Sequence, residues 1–155
     1  MVSASKYYNS VSWPIPGGSV TVAEPWIAPV GSEPLDRTLI TFVSHPVFLR
    51  WASARGGEHF NTRVSFIESA PPPSVTLGDP SWDQYIATFA ASAGEASAAF
   101  PVRARQKLRA WGFSGHIEVR PGGLVLHFAG FQPNPESLDR LYRGVPELVQ
   151  AFSGR

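Results

Sequence analysis

Apolar and polar positions alternate most plainly between His116 and Phe128. Ile117 and Val119, then Leu124, Leu126 and Phe128, each fall on one side of an extended chain. Two strands joined by a tight turn bring these residues to a common face when Val119 stands opposite Leu124 and Ile117 opposite Leu126. The loop is then Arg120-Pro121-Gly122-Gly123, with proline at the second turn position. Further strands are expected at 18–22, entered through the Pro16-Gly17-Gly18 turn, and at 38–43, 47–51, 63–67 and 85–90. Pro46 separates the second from the third, Arg55-Gly56-Gly57-Glu58 reads as a turn, and residues 70–74 read as a polyproline spacer.

Helical patterning is confined to the second half. Ala96, Ala98, Ala99 and Ala104 favour helix over 94–111, Pro101 suits the first turn of a second helix, and Gly112 supplies the stop. Near the end, Asn134 caps, Pro135 takes the first position, and Leu138, Leu141, Tyr142, Val145, Leu148, Val149 and Phe152 form one apolar stripe. Gly144 and Pro146 interrupt it, so one kinked helix or two short ones are expected. The predicted fold is α+β: a mostly antiparallel sheet of about six or seven short strands, with two or three helices on one face and a C-terminal amphipathic helix.

Length and composition refine this picture. A chain of 155 residues with 43% hydrophobic positions suits a single core. Residues 1–36 stand apart as a Pro/Gly/Trp-rich stretch, expected to be an extended arm beside one α+β domain over 37–155. A chain starting near Asp36 is therefore expected to fold by itself. Lys plus Arg is 13 and Asp plus Glu is 12, a net charge of +1 that lacks the cationic footprint of a nucleic-acid binder. With no cysteine, disulfides and thiolate chemistry drop out. Apolar runs stay far below the ~20 residues needed to span a bilayer, and 1–10 lacks the apolar stretch of a signal peptide. The expected location is the cytoplasm or the cytoplasmic face of a membrane complex.

One resemblance emerges from the motifs. Gly78-Asp79-Pro80-Ser81-Trp82-Asp83-Gln84-Tyr85 is similar to a Gly-Asp-Pro-x-Phe-Asp signature, with Trp82 standing where that signature has Phe. Phe100-Pro101-Val102-Arg103, Lys107-Leu108, Gly123-Leu124-Val125-Leu126 and Asn134-Pro135-Glu136-Ser137-Leu138 follow in matching order. Together they resemble, over residues 37–152, an uncharacterised bacterial domain often attached to membrane-anchored proteins. The resemblance implies a structural role and carries over no catalytic residue.

Several residues invite a chemical reading. The hairpin register sets His116 opposite His127, with Glu118 on the same face, a donor set of the kind zinc accepts. His45 and His59 lie in loops without spaced partners. Asp79 and Asp83 flank Trp82 and are read as turn caps rather than as an acid/base pair. Arg103, Arg105, Lys107 and Arg109 flank one helix whose buried stripe is Ala104, Leu108 and Trp111, a candidate contact for an anionic partner. Trp51, Trp82 and Trp111 are expected in the core, whereas Trp13 and Trp26 are expected to anchor a partner or to staple the arm back onto the sheet. The partner-binding candidates are thus Trp13, Trp26, Arg103 and Lys107. No motif asks for a cofactor. The functional expectation is a non-catalytic structural or protein-interaction subunit of a larger, membrane-associated assembly, binding other subunits or itself. The alternative is a small metal-binding module or enzyme using His116, Glu118 and His127.

Overall fold

The structure is a computed structural model that describes residues 7–25, 38–57 and 72–154. The strand expected at 63–67, together with Trp26 and His59, lies outside the described residues. Among those described, β1 (Tyr7–Ile15), β2 (Gly18–Pro25), β3 (Ile40–Ser44), β4 (Ala52–Gly56), β5 (Ser74–Val75), β6 (Ile86–Phe89), β7 (Gly115–Arg120) and β8 (Gly123–Phe128) form one sheet. Its order is β1-β2-β3-β8-β7-β4-β6-β5, and each neighbouring pair is antiparallel. Four helices accompany it: α1 (Pro80–Asp83), α2 (Ala93–Ala99), α3 (Val102–Ala110) and α4 (Pro135–Phe152). The α+β class and the antiparallel sheet hold. Among the described residues the sheet has eight strands rather than six or seven, and the four helices accord with the two or three expected beside a C-terminal one. None of the described helices is long and apolar enough to cross a membrane.

The hairpin read first from the sequence occupies the middle of the sheet. Val119 faces Leu124, Ile117 faces Leu126, and His116 faces His127. Ile117, Val119, Leu124, Leu126 and Phe128 join Val20, Val22, Ala52 and Ala54 on one face, buried with Trp82, Ala96, Leu108, Leu141 and Leu148 of the helices. Cross-strand register puts the intervening residues, His116, Glu118, Ser53 and Arg55 among them, on the opposite face.

Residues 7–25 are not an extended arm. They form a hairpin whose inner strand pairs with β3, and Val20 is 0% exposed. Proline is tolerated because β1 is an edge strand, where a missing N–H breaks no second ladder. His45 pins the turn: its Nδ1 accepts from the Val47 N–H at 3.1 Å, and its Nε2, 3.1 Å from the Pro16 carbonyl oxygen, donates to it. A residue read as a bystander is therefore a clasp between two loops.

Two further expectations are corrected. Residues 47–51 are not a strand. Phe48 turns inward, against the Phe152 ring at 5.2 Å, and Val47 packs partly buried against the core, while Leu49 and Trp51 are exposed. The strand follows at β4, through residues read partly as a turn. Ala52 and Ala54 are poor strand formers, but small side chains fit where α2 approaches β4 on the core face. Trp51 is accordingly not a core residue, while Trp82 is wholly buried and Trp111 is half-buried against the core.

The last helix is continuous over 18 residues, with Pro146 inside it. Gly144 has a packing reason: a β-carbon there would fall inside the Trp111 ring. Gly144→Ala should consequently destabilise the chain by about 1–3 kcal/mol, although alanine is the better helix former. Thermal unfolding of the two chains checks this; an unchanged or higher melting temperature would contradict it.

Candidate functional site

Two regions deserve a chemical account: the polar row on the face of the sheet opposite the described helices, and the outer edge of β1. The row is built by β7 and β4, whose register places Ser53 beside Glu118 and Arg55 beside His116. Glu118 is only 5% exposed, and Arg55 only 3%. The Glu118 carboxylate accepts from Arg120 Nε and lies 3.7 Å from His116 Nε2. Arg120 also sits 5.5 Å from the Trp51 ring centre, and Arg55 lies 4.8 Å over the Phe89 ring. Burial alone would push the Glu118 carboxyl up, but the nearby His116 imidazole and the hydrogen bond and charge of Arg120 outweigh it and hold the group below the usual carboxylate range. Burial draws the Arg55 guanidinium below its ordinary value.

The metal set of the alternative reading does not assemble. His116 and His127 do face each other, but His127 Nε2 bonds the Thr38 hydroxyl at 2.8 Å and Glu118 is engaged by Arg120. Among the described residues no group of three His, Asp or Glu side chains could hold a metal ion. The arrangement is an ion-pair network that fixes the centre of the sheet. A depressed carboxylate stabilises the fold above its unfolded-state value, and the benefit is lost as pH falls through the folded-state value. Glu118→Gln should therefore lower the unfolding free energy at neutral pH by about 1–3 kcal/mol. That gap to the parent chain should close toward about pH 3. Urea unfolding at both pH values tests it; a gap independent of pH would show that Glu118 does not carry the network.

Sequence reasoning missed Ser53, Arg55 and Arg120 as members of this row. A signal was present in 52–55, where Ala and Ser/Arg alternate with period two, but without large apolar residues it did not read as a strand.

The acidic pair around Trp82 is structural, as expected. Asp83 accepts from the Leu77 and Asp79 N–H groups, each at 3.0 Å. The Ser81 hydroxyl and, after a smaller opposing effect of burial, Arg105 hold the Asp79 carboxyl below its ordinary value. Arg105 departs from the expected cationic flank: it is buried, with Nε on Asp79 at 3.0 Å and Nη1 on the Phe100 carbonyl at 2.7 Å. Lys107 pairs with Glu147 of α4, Arg109 lies 5.6 Å over the Tyr85 ring, and Arg103 is exposed. The four cations thus point to four different surroundings rather than to one anionic ligand.

The second region is the sheet edge. Trp13 lies on the helix side of β1, its ring 5.5 Å from that of Tyr142 on α4. Its buried indole N–H meets no acceptor among the described residues. Val11, on the same side, is 47% exposed and Tyr142 is 59% exposed. A groove of about 260 Å³ runs alongside, lined by Asn9, Val11, Val22, Leu39 and Leu138 among others. Neither a family model, nor a curated protein, nor a solved structure matches the chain.

Proposed function

We propose that the chain is a non-catalytic protein-interaction subunit that docks through the outer edge of β1 and the apolar side chains beside it. The observation that carries this reading is a nine-residue edge strand without a single charged side chain. Edge strands normally carry charge, are short, or are covered, because their unpaired N–H and C=O groups are a template for another strand. Among the described residues the defences are limited to Pro14 and a register shift between Tyr8 and Ser10. Val11, Trp13 and Tyr142 supply the aromatic and aliphatic anchors that dominate interfaces. Trp13 is the expected partner-binding residue best placed for this. Arg103 keeps its candidacy as an exposed cation, while Lys107 is already engaged by Glu147. Membership of a membrane-associated assembly rests on the resemblance over 37–152 alone.

The test is a photoreactive phenylalanine introduced at position 11 or 142 of the full chain, in the cells that make it. A discrete protein adduct from both positions, and none from exposed Gln106 on α3, is expected. Absence of an adduct at 11 and 142, or equal labelling at all three positions, would overturn the reading.

A further inference from the structure

We infer that the partner of the β1 edge is a second copy of this chain, paired antiparallel about a twofold axis at Val11. This rests on the interaction reading above and names its occupant. Val11 is the middle residue of β1, and the strand around it is regular only between two interruptions. Asn9 falls out of the register on one side, with a φ of 23°, and Pro14 offers no donor on the other. The usable stretch is therefore centred on Ser10-Val11-Ser12, which can exchange ladder bonds with Ser12-Val11-Ser10 of the second copy.

Three observations favour self-pairing over a different partner. The strand is uncharged throughout, so two copies meet without like-charge repulsion, and a net charge of +1 adds little repulsion between whole chains. Placing Val11 against its own copy keeps both helix layers on the same side of the joined sheet. The two exposed Val11 side chains then meet, and the Trp13–Tyr142 pairs lie on that same side. Finally, among the described residues the opposite edge of the sheet is β5, with two residues, too short to template a further strand. Association through β1 is isologous and closes at two copies rather than growing into a fibre.

Sedimentation of the full chain at micromolar concentrations should give twice the chain mass. Val11→Lys and Val11→Glu, each at an exposed position, should give monomers with unchanged near-ultraviolet circular dichroism. Mixing the two variants should restore the dimer, because opposite charges then face each other across the axis. Should either variant misfold, Ser10→Lys combined with Ser12→Lys, which sets lysine opposite lysine on the other, exposed side of the strand, serves as the second disruption and should likewise give monomer. A chain that is monomeric at every concentration, or a dimer that survives these substitutions, overturns the self-pairing. An adduct from position 11 to a different protein also overturns it while leaving the interaction reading intact, whereas the absence of any adduct removes both.

Discussion

Deletion of residues 1–36 is expected to leave a chain that collapses without fixed packing. The hairpin of β1 and β2 contributes Ile15, Val20 and Val22 to the central cluster, and β2 forms the ladder that covers β3. Without it, Leu39 and Val43 lose neighbours on the core face, and β3 becomes an unprotected edge. Burial of side chains the size of valine and isoleucine is worth about 1.5–3 kcal/mol each, so losing three approaches the whole stability of an ordinary domain. The truncated chain should keep far-ultraviolet circular dichroism, lose its near-ultraviolet signal, and melt without a cooperative transition. Cooperative unfolding of the fragment would show that the hairpin is an accessory to the core.

The second large effect concerns Trp82. Its side chain is completely buried, its ring lies 5.9 Å from that of Phe100, and its Nε1 donates to the Thr88 hydroxyl at 2.9 Å. Truncation to alanine removes the largest fully buried side chain and leaves the Thr88 hydroxyl without this donor. Trp82→Ala should cost about 3–5 kcal/mol, in line with large aromatic truncations. Trp82→Phe retains most of the volume and loses chiefly the hydrogen bond, so about 1–3 kcal/mol is expected. Urea unfolding of both variants checks the order. A phenylalanine variant as damaged as the alanine one would mean that shape, rather than volume, decides this site.

These effects also show which features could be read along the chain. Elements made from adjacent residues with a clear period were legible: the 115–128 hairpin and its register, the apolar stripe of α4, and the break before α3 at Pro101. The features misread depend on distant partners. β1 looked like an arm because Pro14 and the prolines around it argue against a sheet interior, and only its place at the edge of the described sheet reconciles the two. β4 looked like a turn because Ala, Ser and Gly have little strand preference, yet it is buried between β7 and β6. Gly144 looked like a defect until Trp111, from another helix end, is placed against it. The polar row followed the same rule. His116 and His127 were paired correctly by a local turn, whereas Arg55 joins them through a ladder that closes across some sixty residues. The ion pairs themselves, Arg120 and His116 with Glu118, lie along β7.

Amide hydrogen exchange of the intact chain, followed as a function of concentration, tests the role of the β1 edge most directly. Every second amide of an edge strand points away from its only neighbour and exchanges freely. The account predicts that β2 amides such as Val20 and Val22 are protected at all concentrations. Alternate β1 amides around Val11 should gain protection as the concentration rises, and Val11→Lys should abolish that gain. Exchange in β1 that is unaffected by concentration would contradict self-pairing through this edge.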